Sequence, residues 1–92
     1  MKRDKKFYID SIKMDLFRVV TASGDVSKDL PHDSVMEFLN HAHSDLSKIK
    51  LTLLEKKLKD ELASLITKLE AIKGVNDRLR WAEDILTIRC RL

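Results

Sequence analysis

The chain has 92 residues, of which 43% are apolar and 36% are charged, and its net charge is +3. This length suits one domain with a thin core, and the apolar content argues against a disordered chain. Two glycines and one proline are too few for the frequent turns of an all-β protein or for a glycine-rich nucleotide-binding loop. We therefore expect a single all-α domain over residues 1–92.

Cellular location is predicted from apolar runs and cysteine content. A membrane-spanning helix needs about 20 apolar residues, and the longest runs in this sequence have two or three. The basic N-terminal residues are not followed by the apolar segment of a secretion signal. The single cysteine, Cys90, cannot form an internal disulfide. These features predict a cytoplasmic protein that does not contact membranes.

Apolar spacing predicts a helix at each end of the chain. Near the N-terminus the apolar positions recur at steps of three and four residues: Ile9, Ile12, Leu16 and Val19. The first helix is expected over about 5–23, because Gly24 suits the residue that follows a helix. Residues 24–31 contain the only proline and are predicted to be a connector. A last helix is expected over about 77–90.

Residues 32–73 form a run without glycine or proline. One unbroken helix of this length would measure about 60 Å, whereas a compact 92-residue globule is roughly 32 Å across. Such a helix would therefore require an elongated and oligomeric molecule. The alternative is a break near residues 44–54, with Ser44 or Ser47 as a new N-cap.

The apolar stripe along this run changes sides. The stripe of the first half and that of the second half are centred roughly 140° apart on an ideal helix, and residues 49–54 join them. A continuous helix would then need one neighbour on each side. We favour continuity, which predicts a helical hairpin or bundle with one long central helix, flanked by two shorter helices and completed by dimerisation.

Both terminal helices show a second apolar face. On the first helix it comprises Phe7, Met14 and Phe17, and on the last helix it comprises Trp81, Ile85 and Ile88. A second copy of the chain would cover these faces, so all six residues are predicted to lie in a protein interface. The last residues also alternate between apolar and polar types, which leaves a C-terminal strand over 85–92 as an alternative.

The sequence favours a non-enzymatic protein–protein interaction module: a homodimeric adaptor, regulator or assembly factor with an unidentified protein partner. The alternative is a nucleic-acid-binding accessory protein, because basic residues cluster near the middle and the end of the chain. They are Lys48, Lys50, Lys56, Lys57, Lys59, Arg78, Arg80, Arg89 and Arg91.

No catalytic or cofactor-binding residue is predicted. His41 and Asp45 are i, i+4 neighbours on a helix and could share a metal ion. A zinc site needs three or four converging ligands, and the sequence brings only these two together. We therefore predict neither a cofactor nor a metal ligand.

Overall fold

The computed structural model describes residues 4–92 and is all-helical over that range. Four α-helices follow one another: α1 (Lys5–Gly24), α2 (His32–Ser47), α3 (Leu53–Lys68) and α4 (Gly74–Arg91). A short 3₁₀ turn, Leu69–Ala71, follows α3. The radius of gyration is 13.0 Å, close to the value of about 12 Å for a compact chain of this length. None of the helices in the described part is long and apolar enough to cross a bilayer.

Helix α1 begins where Asp4 caps it and ends at Gly24, within a residue of the predicted boundaries. The Asp4 carboxylate accepts a hydrogen bond from the Phe7 backbone N–H at 2.9 Å, which satisfies one of the unpaired amides at a helix start. The inward face of α1 is fully buried and includes Ile12, Leu16 and Val19. Helix α1 packs against α2 on one side and α4 on the other.

The expectation of one continuous helix over 32–73 is wrong in this structure. Helix α2 ends at Ser47 and α3 begins at Leu53, so the chain turns within residues 48–52. The new N-cap is Thr52 instead of Ser44 or Ser47. Its hydroxyl accepts a hydrogen bond from the Glu55 N–H at 3.2 Å, and the Glu55 carboxylate accepts one from the Thr52 N–H at 2.9 Å. This reciprocal pair is a capping box, which stabilises a helix start.

Because the chain turns at residues 48–52, there is no long central helix that would need a neighbour on each side. The apolar stripes of α2 and α3 change sides in sequence, yet both join one core within the chain. Its fully or almost fully buried members on these two helices are Val35, Leu39, Ala42, Leu46, Leu58 and Leu62. Helix α3 packs against α2 and α4. Dimerisation is therefore not required to cover these two stripes.

Helix α4 starts at Gly74 and continues to Arg91, which replaces the alternative of a C-terminal strand over 85–92. Gly74 has φ = 77°, a left-handed conformation that glycine adopts without a steric penalty. This residue lets the chain reverse between the 3₁₀ turn and α4. The Trp81 indole N–H then donates to the Leu65 carbonyl at 2.8 Å, joining α4 to α3.

Candidate functional site

The outer surface of α1 and the adjoining side of α4 carry large exposed apolar side chains. Met14 and Phe17 are each more than half exposed, at 57% and 56%. Leu79 and Leu86 on α4 are also exposed, as is Phe7 near the start of α1. We call these five residues the α1–α4 face. The predicted interface positions on α1 are thus at the surface.

Contacts between Arg89 and α1 place the two parts of this face side by side. The Arg89 guanidinium lies over the Phe17 ring at 5.6 Å from its centroid, and its Nε–H donates to the Lys13 carbonyl at 3.1 Å. Leu86 precedes Arg89 by three residues and therefore lies near it on the surface of α4. A shallow groove of about 210 Å³ lies beside Met14 and Phe17.

The other three predicted interface residues are in the core instead. Trp81, Ile85 and Ile88 are 4%, 0% and 1% exposed and pack in the chain's own core. Their face on α4 is covered within the molecule because α3 folds back against it. This is a correction to the sequence prediction: these side chains are not available to a partner in the folded chain.

The predicted lysine cluster surrounds the turn between α2 and α3. Lys48 and Lys50 lie in the turn, and three more lysines follow in the first two turns of α3: Lys56, Lys57 and Lys59. Lys56 and Lys59 line a groove of about 340 Å³ together with Asp60 and several apolar residues. Lys48 also lies 3.5 Å from an oxygen of Asp45, so part of its charge is neutralised.

The four arginines predicted beside these lysines have different environments. Arg91 is exposed at the end of α4. Arg80 is exposed and lines a different groove, between α3 and α4, together with Asp77 and Asp84. Arg89 is half-buried against α1. The arginines therefore do not form one phosphate-binding surface.

Arg78 has a structural role, which corrects its assignment as a nucleic-acid contact. It is 9% exposed, and its guanidinium donates to four backbone carbonyls at and beyond the end of α1. These acceptors are the carbonyls of Ala22, Ser23, Asp25 and Lys28, at 2.6–3.1 Å. The last carbonyls of a helix have no partner within the helix. Arg78 supplies partners for them, so it cannot contact a phosphate.

A polar cluster joins α1 to α2 and contains the His41–Asp45 pair. Asp15 from α1 completes it: the His41 Nδ1 atom lies 2.5 Å from an Asp15 oxygen and 3.6 Å from an Asp45 oxygen. The Asp15 and Asp45 side chains are only 7% and 5% exposed, whereas that of His41 is 57% exposed. The hydrogen bond from the ring to Asp15 raises the pKa of His41 above its ordinary value, and burial opposes this only in part.

Sequence reasoning missed Asp15 and Arg78 as members of these sites. Asp15 lies 26 residues before His41, and Arg78 lies 50 or more residues from the carbonyls that it binds. No local spacing indicates such pairs. By contrast, the Thr52-x-x-Glu55 capping signal was present in the sequence.

Comparisons with protein-family models, with curated proteins and with solved structures found no match to this chain.

Proposed function

We propose that the protein is a non-enzymatic interaction module that forms a homodimer through the α1–α4 face. The observation that carries this proposal is the exposure of Met14 and Phe17, by more than half, on a helix whose other side is already buried. Burying one large apolar side chain contributes about 1.5–3 kcal/mol. Several such residues on one surface are typical of a protein interface.

A second copy of the chain is the occupant that the charges favour. Asp10 lies four residues before Met14 and Arg18 lies four residues after it. Two α1 helices packed antiparallel about Met14 would therefore place Asp10 of each copy opposite Arg18 of the other. Within one chain Arg18 already lies 3.6 Å from Asp15 and over the Phe38 ring, so the ion pair to Asp10 would form beside these contacts. A two-fold interface of this kind is self-complementary. We further propose that this assembly is cytoplasmic, since the chain has only one cysteine.

Sedimentation equilibrium over a range of protein concentrations tests the proposal. The wild-type chain should approach twice its mass of 10.7 kDa as its concentration rises. The Met14→Glu/Phe17→Glu double variant should remain monomeric, because the charges would face each other across the interface. The matched control is Leu53→Glu: Leu53 is 80% exposed but lies on α3, outside the α1–α4 face. A monomeric wild-type chain throughout, or equal effects of both sets of substitutions, would refute the proposal.

The second candidate function is binding of nucleic acid at the α2–α3 turn. The observation in its favour is the placement of five lysines in and directly after one turn. Phosphate contacts of this kind weaken as salt increases. A gel shift at low salt that disappears at high salt, and is reduced by Lys56→Gln/Lys57→Gln, would support it. No shift at low salt would contradict it.

A further inference from the structure

Two pairs of polar side chains meet where α1 packs against α2. Ser11 and Asp15 are i, i+4 neighbours on α1, and His41 and Asp45 are i, i+4 neighbours on α2. Residues at this spacing share one side of a helix. The Ser11 hydroxyl donates to Asp45 at 3.3 Å, and one donor atom each of Asp15, His41 and Asp45 lies within 4.8 Å of the other two. Metal sites in helical bundles are built in this way, from side chains on facing helices.

The two oxygens of each carboxylate face different partners. The Oδ1 atoms of Asp15 and Asp45 are directed to basic groups outside the cluster: Arg18 at 3.6 Å and Lys48 at 3.5 Å. The Oδ2 atoms of both carboxylates are directed towards His41 Nδ1. Carboxylates that bind metals are commonly oriented in the same manner, by neighbours outside the ligand set. The arrangement places the two Oδ2 atoms and Nδ1 on the same side of the cluster, within 4.8 Å of one another.

We propose that Asp15, His41 and Asp45 bind a divalent transition-metal ion such as Zn²⁺. The Oδ2 atoms of both carboxylates and Nδ1 of His41 would be its ligands, with the Ser11 hydroxyl or water in a fourth position. A mixed nitrogen and oxygen donor set suits zinc and its neighbours, whereas Mg²⁺ and Ca²⁺ prefer oxygen ligands alone. The bound ion would link α1 to α2. None of the three ligands belongs to the α1–α4 face; the two proposals share only Arg18, which lies 3.6 Å from Asp15.

Tertiary structure supplies the ligands that the sequence prediction lacked. That prediction rejected a metal site because only His41 and Asp45 were expected to converge. The fold adds Asp15 as a third ligand and Ser11 as a further polar neighbour. A metal site needs a path for the ion from solvent. The cluster is open to solvent at the His41 ring, which is exposed, whereas the two carboxylates are nearly buried.

Calorimetric titration with Zn²⁺ tests the proposal. The titration should be made on the Cys90→Ser variant, because the exposed Cys90 thiol would itself bind zinc. We expect saturable binding of one ion per chain. His41→Gln and Asp15→Asn, each added to that variant, should weaken binding at least tenfold, since each removes a charged or nitrogen ligand.

Two matched substitutions serve as controls. His43→Gln changes another histidine of α2, and Asp33→Asn changes an exposed aspartate of the same helix. Both should leave zinc affinity within twofold of the parent. Circular dichroism in the presence of a chelator checks that each variant is folded. If Asp15→Asn fails to fold, the zinc affinity of His41→Gln alone tests the proposal. That variant should fold, because the His41 side chain is more than half exposed. Absence of saturable binding by the parent, or equal losses in His43→Gln and His41→Gln, would overturn the proposal.

Discussion

Helix α4 packs against α3 and α1 within one apolar core, but its hydrogen bonds to the two helices differ. Towards α3, Trp81 donates one hydrogen bond, to the Leu65 carbonyl. Towards α1, the Arg78 guanidinium donates to four carbonyls at and beyond the end of the helix, and the Arg89 guanidinium donates to the Lys13 carbonyl. The apolar packing follows from the spacing of hydrophobic residues. The arginine hydrogen bonds join positions 50 or more residues apart and have no counterpart in any local pattern.

The largest expected effect comes from placing a charge in the apolar core. Leu58 on α3 is 1% exposed, and Leu58→Asp should lower the free energy of unfolding by about 4 kcal/mol or more. Urea denaturation measures this loss. The control is Leu53→Asp at an 80% exposed position, which should change the free energy by no more than about 0.5 kcal/mol. Similar values for the two variants would show that the stripe on α3 is not buried.

Arg78→Met tests the polar contact between α4 and α1. Methionine keeps much of the aliphatic stem but removes the guanidinium, which leaves carbonyls at the end of α1 without a donor. We expect a loss of about 3 kcal/mol in the free energy of unfolding. Arg80→Met, two residues away and exposed, should have little effect in the same urea titration. If both variants match the wild-type chain, Arg78 does not stabilise the end of α1.

Trp81→Phe removes the only hydrogen bond that the Trp81 side chain makes to α3 while keeping an aromatic ring. The loss of the bond to Leu65 and of some packing should cost about 2 kcal/mol. This is less than expected for Arg78→Met, which affects four carbonyls instead of one. Thermal unfolding of the two variants under identical conditions shows which one loses more stability. A larger loss for Trp81→Phe would mean that the Trp81 side chain contributes more to holding α4 in place than the Arg78 guanidinium does.

Glu55 is expected to have the smallest effect, and its contribution depends on pH. The Lys5 ammonium group, 2.6 Å away, and the Thr52 N–H lower the pKa of Glu55 below its ordinary value of 4.5. A lowered pKa in the folded chain adds stability above the unfolded-state pKa, and this stability is lost as pH falls through the folded-state pKa. The wild-type chain should therefore lose more stability than Glu55→Gln between pH 6 and pH 3. Urea midpoints at the two pH values test this, and parallel losses would contradict it.

The sequence contained enough information for the helices but not for their arrangement. Apolar steps of three and four residues located α1 within one residue, because burial of one helix face is a local property of the sequence, whereas α4 begins at Gly74, before the expected start at about 77. A break near residues 44–54 was the alternative to the favoured continuous helix, and Thr52 and Glu55 carry the signal for the new helix start. The roles of Asp15 and Arg78 could not be predicted, since each depends on groups that only the folded chain brings near.

Helix α4 packs within one chain, and Met14 and Phe17 on α1 are each more than half exposed. An isotope-filtered NOE experiment on a mixture of ¹³C-labelled and unlabelled chains is the most direct test of the proposed self-association through these two residues. It should show contacts between copies from the Met14 methyl group and the Phe17 ring. Contacts between copies that arise instead from α3, for example at Leu53, or no such contacts at any protein concentration, would contradict self-association through this face.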